Sequence, residues 1–210
     1  MNRLSLIFFS CIFTINLAFS QDEIAKQILD DLSEKGKSYT DITAEFTLNY
    51  SEKEIDENSE GKIWIKEDMY KLDMSSNLSI INNGETLWYF MKDVPEVQIM
   101  ENDPEDEMNP SRIFTIYEKG YKYEYKGSEA INSDNIHKID LYPNESGLIS
   151  LITLYIDTNK TELIKIKIIE KGGGVTTYTI TKFITNSDIP ISNFNFESKH
   201  YPNIEVIDLR

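Results

Sequence analysis

The residues able to do chemistry are few and scattered. The chain has two histidines, His137 and His200, far apart in sequence. His137 stands in an alternating run with Ile139 and Leu141, the pattern of a half-buried strand, and reads as a structural histidine satisfied by its neighbours. His200, beside Tyr201 and Pro202, reads the same way. No His-x-x-x-His pair is present for zinc, no Gly-x-Ser-x-Gly elbow for acyl transfer, and no glycine loop followed by Lys-Ser or Lys-Thr for phosphate. The run Asp103-Pro104-Glu105-Asp106-Glu107 lacks the spaced ligands and central glycine of a calcium loop, so it reads as a solvated acidic loop. Gly172-Gly173-Gly174 lies between two strand-like runs with no helix behind it, which makes it a hairpin turn rather than a phosphate cradle. Carboxylates are abundant enough that a glycosidase-like pair survives counting alone. Otherwise the positioned acid, base or nucleophile that catalysis requires is missing. The expectation is a binding protein, not an enzyme, with no catalytic residue, no metal site and no cofactor.

The first twenty residues read as a secretory signal. Arg3 supplies the positive start, an apolar run follows, and Ala18-Phe19-Ser20 offers small residues at the cleavage positions before Gln21. The run is short and broken by Ser10, Thr14 and Asn16, a poor membrane-spanning helix. Residues 21–210 are then one exported domain, long enough for one sizeable core. The only cysteine, Cys11, lies in the signal, so the mature domain has no disulfide and no thiol chemistry, and is stabilised by its core alone.

The whole chain carries 21 Lys and Arg against 36 Asp and Glu, a net charge of −15. Removing Arg3 with the signal makes the mature domain one unit more negative. A phosphate backbone is bound by basic faces, so no nucleic-acid partner is expected. An acidic surface also disfavours direct contact with anionic lipid.

These side chains must be positioned by a sheet. Residues 21–37 form the clearest helix, with Ile24, Ile28, Leu29 and Leu32 at helical spacing, Asp22 and Glu23 in the first turn and Gly36 near the end. From Asp41 the period becomes two: Ile42, Ala44, Phe46, Leu48 and Tyr50 alternate with polar residues. Further strand-like runs cover 61–66, 69–74, 78–81, 86–91, 97–100, 121–125, 136–141, 149–156, 163–170 and 175–184. Turn signals such as Asn82-Asn83-Gly84, Pro143-Asn144 and Asp157-Thr158-Asn159 separate them. Connections this short make antiparallel hairpins. One interruption is informative: Asn109-Pro110-Ser111 reads as a helix start, followed by apolar Ile113, Phe114, Ile116 and Tyr117. Large apolar side chains crowd the first half of the sheet, and one helix with one short helical turn is too little to cover it. An uncovered apolar concavity is where an apolar ligand binds.

Several runs in this order resemble the LolA family of periplasmic lipoprotein carriers. They are Ile42-Thr43-Ala44-Glu45-Phe46-Thr47 after a helix, Gly61-Lys62-Ile63-Trp64-Ile65-Lys66, Asn83-Gly84-Glu85-Thr86-Leu87-Trp88-Tyr89-Phe90 and Val97-Gln98-Ile99. Asn109-Pro110-Ser111-Arg112-Ile113-Phe114 takes the place of the family's lid helix, and the series ends with Phe194-Asn195-Phe196 and residues 205–210. The resemblance implies a mainly β fold with minor α, in which a single antiparallel sheet curls into an unclosed β-barrel covered by an N-terminal helix and a short lid helix. Acyl chains of lipoproteins would lie between sheet and lid. Candidate cavity residues are Phe46, Leu48, Ile63, Trp64, Ile65, Tyr70, Leu72, Trp88 and Phe90; candidate lid residues are Ile113, Phe114, Ile116 and Tyr117. The resemblance further implies a monomer in the periplasm that serves acylated lipoproteins, an inner-membrane ATP-driven releasing complex and an outer-membrane acceptor. One departure matters. The family's strand motif Trp-x-Lys is followed by an arginine that latches the lid; here Trp64-Ile65-Lys66 is followed by Glu67, which cannot donate those bonds. Lys66 and Lys71 are the candidates to replace it. The competing readings are a lipid- or lipoprotein-sensing regulatory module of the same fold, a glycan-acting enzyme and a structural surface protein.

Overall fold

The computed structural model describes residues 21–104, 106, 109–131 and 134–210. The expected signal, with Cys11, lies outside them, as do Glu105 and Glu107 of the acidic loop. The helix falls where the periodicity puts it: α1 spans Gln21–Lys37, with Asp22 and Glu23 in its first turn and Lys35 and Lys37 in its last, both signs suited to the helix dipole. Its buried stripe is shifted by one residue. Ala25, Leu29 and Leu32 are buried, with Ile28 packed beside them, whereas Ile24 is exposed. The small Ala25 lets the helix lie close to the sheet, and the bulkier Ile24 is turned to water.

Twelve strands follow: β1 Ile42–Glu52, β2 Ile55–Lys66, β3 Met69–Met74, β4 Leu78–Asn82, β5 Thr86–Met91, β6 Glu96–Glu101, β7 Tyr121–Ile131, β8 Asp134–Pro143, β9 Ile149–Asp157, β10 Glu162–Glu170, β11 Val175–Thr185 and β12 Glu205–Asp208. They form one sheet in the order β12-β6-β5-β4-β3-β2-β1-β11-β10-β9-β8-β7, which does not close into a barrel. Successive hairpins and the long-range pairing of β1 with β11 are all antiparallel, and one pairing is not. Strand β12 lies parallel to β6, with Val206 against Val97. The expectation of a purely antiparallel sheet fails here because the chain leaves β11 at one place in the sheet and crosses over to reach the free edge of β6.

That crossing is fixed by Asp41, 2 % exposed. Its carboxylate accepts from the amides of Ser187 at 2.8 Å and Ile189 at 3.3 Å. Burial by itself would raise the carboxyl's pKa; the amides of Ser187 and Ile189 outweigh it and hold it below the usual carboxylate range.

Two apolar clusters share the concave face. The first joins Ala25, Leu29 and Leu32 of α1 to Ile139, Leu141, Ile152, Leu154 and Ile156 on β8 and β9. The second lies on the other half of the sheet and centres on Ile42, Ala44, Phe46, Ile63, Ile65, Tyr70 and Leu87. The helix covers only the first. Between β6 and β7 the expected short helix is two separate 3-10 turns, Pro110–Arg112 and Ile116–Glu118. Pro110 fits the first turn, where no amide donor is needed, and the Asn109 side chain caps it by accepting from the Ser111 amide at 3.0 Å. The β-branched and aromatic residues that follow favour two tight turns over a continuous helix this short.

Candidate functional site

The candidate site is the half of the concave face that α1 leaves open. Strand alternation and register decide its membership. Ala44 pairs with Ile63, Ile63 with Leu72, Leu72 with Ile80, and Ile80 with Tyr89, so these side chains share one face. Toward β11, Phe46 pairs with Ile180 and Leu48 with Tyr178. Of the residues expected in a cavity, Phe46, Leu48, Ile63, Ile65, Tyr70 and Leu72 stand together here. Phe46, Ile63, Ile65 and Tyr70 form its buried floor, while Leu48, Leu72, Met74, Ile80, Tyr89 and Met100 are half-buried. A stretch of half-exposed apolar side chains on one face of a sheet marks a candidate binding face.

Three expected members lie on the opposite, convex face. Trp64 pairs with Thr43 and Lys71, and its ring is flanked by the ammonium groups of Lys62 at 5.1 Å and Lys71 at 5.4 Å. Trp88 pairs with Ile81 and Ile99, and Phe90 with Ser79 and Val97. Phe90 is buried by the C-terminal crossing, its ring 5.4 Å from Phe196 and 4.5 Å from Tyr201. The physical reason is parity: Trp64, Trp88 and Phe90 are one residue out of step with Ile63, Leu87 and Tyr89. In their place the structure brings in Leu87, Tyr89, Met74, Met100, Tyr178, Ile180 and Phe183. The even spacing of Leu87 and Tyr89 was a usable signal; the contribution of β11 was not, since it needs the long-range pairing with β1.

The lid residues converge on the seam between the clusters. Ile113, Ile116 and Tyr117 pack on the helix-side cluster, and Phe114 packs on both. Phe114 lies against the end of α1 so closely that a Cβ on Gly36 would fall 2.7 Å from its Cβ and Cγ. Its ring is 6.4 Å from that of Phe183. Gly36 is therefore the residue that admits Phe114, a role its place near the helix end did not disclose.

Neither candidate lysine latches this segment. Lys66 donates to the carbonyl of Ile189 at 2.7 Å and so ties down the C-terminal crossing. Lys71 stands by Trp64 and 3.7 Å from Asp73. Both point to the convex face, because they alternate with Ile65, Tyr70 and Leu72. The polar contacts of this segment come from α1 and from the chain just before it. The Tyr117 hydroxyl donates to Asp30 at 2.8 Å. Glu118 accepts from Ser33 Oγ at 2.9 Å and from Lys37. Arg112 donates to the Pro104 carbonyl at 2.9 Å. The charge logic is consistent. The Lys26 ammonium first, then Tyr117, hold Asp30 below the usual carboxylate range; Lys37 and then Ser33 do the same for Glu118. Burial, and then the bond to Asp30, push the Tyr117 phenol up. At neutral pH Asp30 and Glu118 are therefore ionised and Tyr117 is protonated, as these contacts require.

Burial pushes the Tyr70 phenol up to about 12 and raises that of Tyr89, and in both cases Asp106 adds to the effect. Asp106 thus lies near these two rings. A hollow of 360 Å³ beside the lid is lined by polar groups, among them Asp68, Asn109, Arg112 and Glu118. Another of 590 Å³ is lined by Glu45, Thr47, Lys62 and Asp73 together with Phe46, Gly61 and Met74 of the apolar face. Glu45 sits there 3.4 Å from Lys62 and 3.6 Å from Lys182. The polar lining of the first does not suit an acyl chain, whereas Phe46 and Met74 join the second to the apolar face.

The two histidines are engaged separately. His137 contacts the Tyr125 hydroxyl at 2.9 Å and Asn135 at 2.7 Å, and burial lowers its pKa. His200 is on the surface, 3.5 Å from Glu197. Among the described residues no three His, Cys, Asp or Glu side chains are grouped to hold a metal, and no helix is long and apolar enough to cross a membrane.

A family profile described as "Outer membrane lipoprotein carrier protein LolA" matches residues 37–197. No curated protein matches the sequence. Among solved structures, an uncharacterized conserved protein from Thermus thermophilus is similar with a TM-score of 0.60 at 11% identity, over 88% of this chain and 99% of that one. A DUF1329 family protein from Desulfovibrio piger is similar with a TM-score of 0.52 at 7% identity, over 87% and 99%. At such identities the likeness is one of fold.

Proposed function

The chain belongs to the family described as outer membrane lipoprotein carrier protein LolA, and from that premise we propose that it holds the acyl chains of lipoproteins on its half-open concave face and carries them through the periplasm toward the outer membrane. The observation that carries the reading is the division of the concave face. One half is sealed by α1, and the other presents Leu48, Leu72, Met74, Ile80, Tyr89 and Met100 half-buried beside a lid. Burying a methylene there gains about 0.8 kcal/mol, and a bilayer offers the same, so a carrier needs near parity rather than high affinity. An open face and a lid held by a few polar contacts suit reversible loading. The binding role involves no bond making, so the protein acts as a chaperone and not as an enzyme. It works as a monomer, taking its load from an inner-membrane ATP-driven releasing complex and passing it to an outer-membrane acceptor.

Site-specific photocrosslinking in the native periplasm tests this. A crosslinking side chain in place of Leu72 or Ile80 captures acylated lipoproteins, identified by mass spectrometry, whereas one in place of Trp88 on the convex face does not. Capture at Trp88 alone, or no lipoprotein at any position, would sink the proposal.

A further inference from the structure

Strand β2 is longer than its neighbour. Along β1 it is paired over its whole length, from Glu52 against Ile55 to Ile42 against Ile65. On its other side β3 reaches only from Lys66 to Gly61, with Gly61 against Met74. One residue beyond, Glu60 donates its amide to Ser75 Oγ at 3.0 Å and accepts from the Ser75 amide at 2.8 Å. The backbone of Glu60 therefore faces the β3 side, and the two-residue period turns the amides and carbonyls of Asn58 and Asp56 the same way. Among the described residues no strand stands there, and residues 55–58 are all exposed. Asn49 holds the two side chains in place, donating to Asp56 Oδ1 at 2.6 Å and to Asn58 Oδ1 at 3.1 Å.

A pre-ordered strand with a free row of donors and acceptors is a template for another strand. The charge around it selects the occupant. At the tip of this hairpin, between Tyr50 and Glu60, Glu52, Glu54, Asp56, Glu57 and Glu60 stand against Lys53 alone. Glu170 joins them from the neighbouring turn, where its carboxylate and the Tyr50 hydroxyl flank Gly174. A second copy of this chain would set acid against acid. The two outer edges of the sheet are less suitable, since β12 is four residues long and β7 is broken by an irregularity between Tyr125 and Ser128.

We propose that the open edge of β2, at Asp56 and Asn58, is a docking strand for an extended lysine- or arginine-rich segment of a partner protein. The segment adds to the sheet by main-chain hydrogen bonds, and its cations meet Glu54, Asp56, Glu57 and Glu60. This site lies on different residues from the apolar face, so it stands or falls independently of lipid loading.

The test uses the full mature chain and a capped decapeptide of alternating lysine and valine. At low salt the peptide binds, and amide hydrogen exchange slows at Asp56 and Asn58. The variant Asn58→Pro removes one outward-facing donor without touching the ladder to β1 and weakens binding about fivefold or more. Unchanged exchange at Ile139 and Leu154 confirms that its fold is intact. Should proline disturb the hairpin, the double variant Asp56→Lys, Glu57→Lys gives the same loss through charge. Binding without protection at Asp56 and Asn58, or undiminished in both variants, would show attraction to acidic surface alone and overturn the proposal. So would no binding at all, or self-association of the chain through this edge.

Discussion

Replacing Tyr117 by phenylalanine isolates the lid's polar latch. The ring and its edge contact with Tyr123, at 6.3 Å, remain; only the hydroxyl that donates to Asp30 is lost. A hydrogen bond to a charged acceptor contributes about 1.5–3 kcal/mol. Here it is discounted, because the Asp30 side chain is 42% exposed and water can replace the donor. Nor is Asp30 left unpaired, since Lys26 still holds it. A loss of about 1 kcal/mol follows, which raises the open population of the lid about fivefold. The assay is amide hydrogen exchange of Thr115 and Glu118, which donate to the carbonyls of Arg112 and Thr115. Both should exchange about fivefold faster, while Ile139 and Leu154 in the core stay unchanged. Acid should do what the mutation does. Asp30 and Glu118 have folded pKa values below their ordinary 3.8 and 4.5. Their contribution is therefore complete above those values and is lost as pH falls through the depressed ones. If Tyr117→Phe leaves lid exchange unaltered and Phe114→Ala accelerates it, ring packing and not the α1 latch holds the lid.

Two further substitutions separate the lid from the framework. Gly36→Ala places a methyl against Phe114 and should open the lid, although alanine favours a helix by about 1 kcal/mol; in a Phe114→Gly background, which removes the Cβ as well as the ring, the same change should raise Tm instead, by calorimetry. Phe90→Ala should cost about 3–5 kcal/mol in denaturant unfolding, because it empties the pocket under Phe196 and Tyr201 on the convex face. Lipoprotein loading by the folded fraction should be unchanged.

The elements were largely legible because their signals are local. The helix at Gln21–Lys37 follows from its apolar spacing and end charges, and strands such as Met69–Met74 and Thr86–Met91 begin and end where alternation begins and ends. The turn at Asn82-Asn83-Gly84 is built as its residues demand, with Gly84 at φ 92 and the Asn83 side chain accepting from the amides of Glu85 and Thr86. The place of a short helical segment was equally readable from Asn109 and Pro110, though not its division into two 3-10 turns.

The sequence by itself thus determined a helix, a run of strands, the absence of familiar catalytic motifs and an acidic exterior. It also showed that each strand has two faces. It could not decide which face meets the ligand, because aromatics occupy both: Ile63 and Trp64, or Tyr89 and Phe90, are equally apolar neighbours of opposite parity. Only the tertiary structure resolves that, by laying α1 on one side and returning residues 186–208 across the other. The latch was invisible for a related reason. Tyr117 and Asp30 are 87 residues apart, and a hydrogen bond over that distance along the chain has no periodicity to announce it. It exists because the sheet brings the end of α1 and the lid to the same seam.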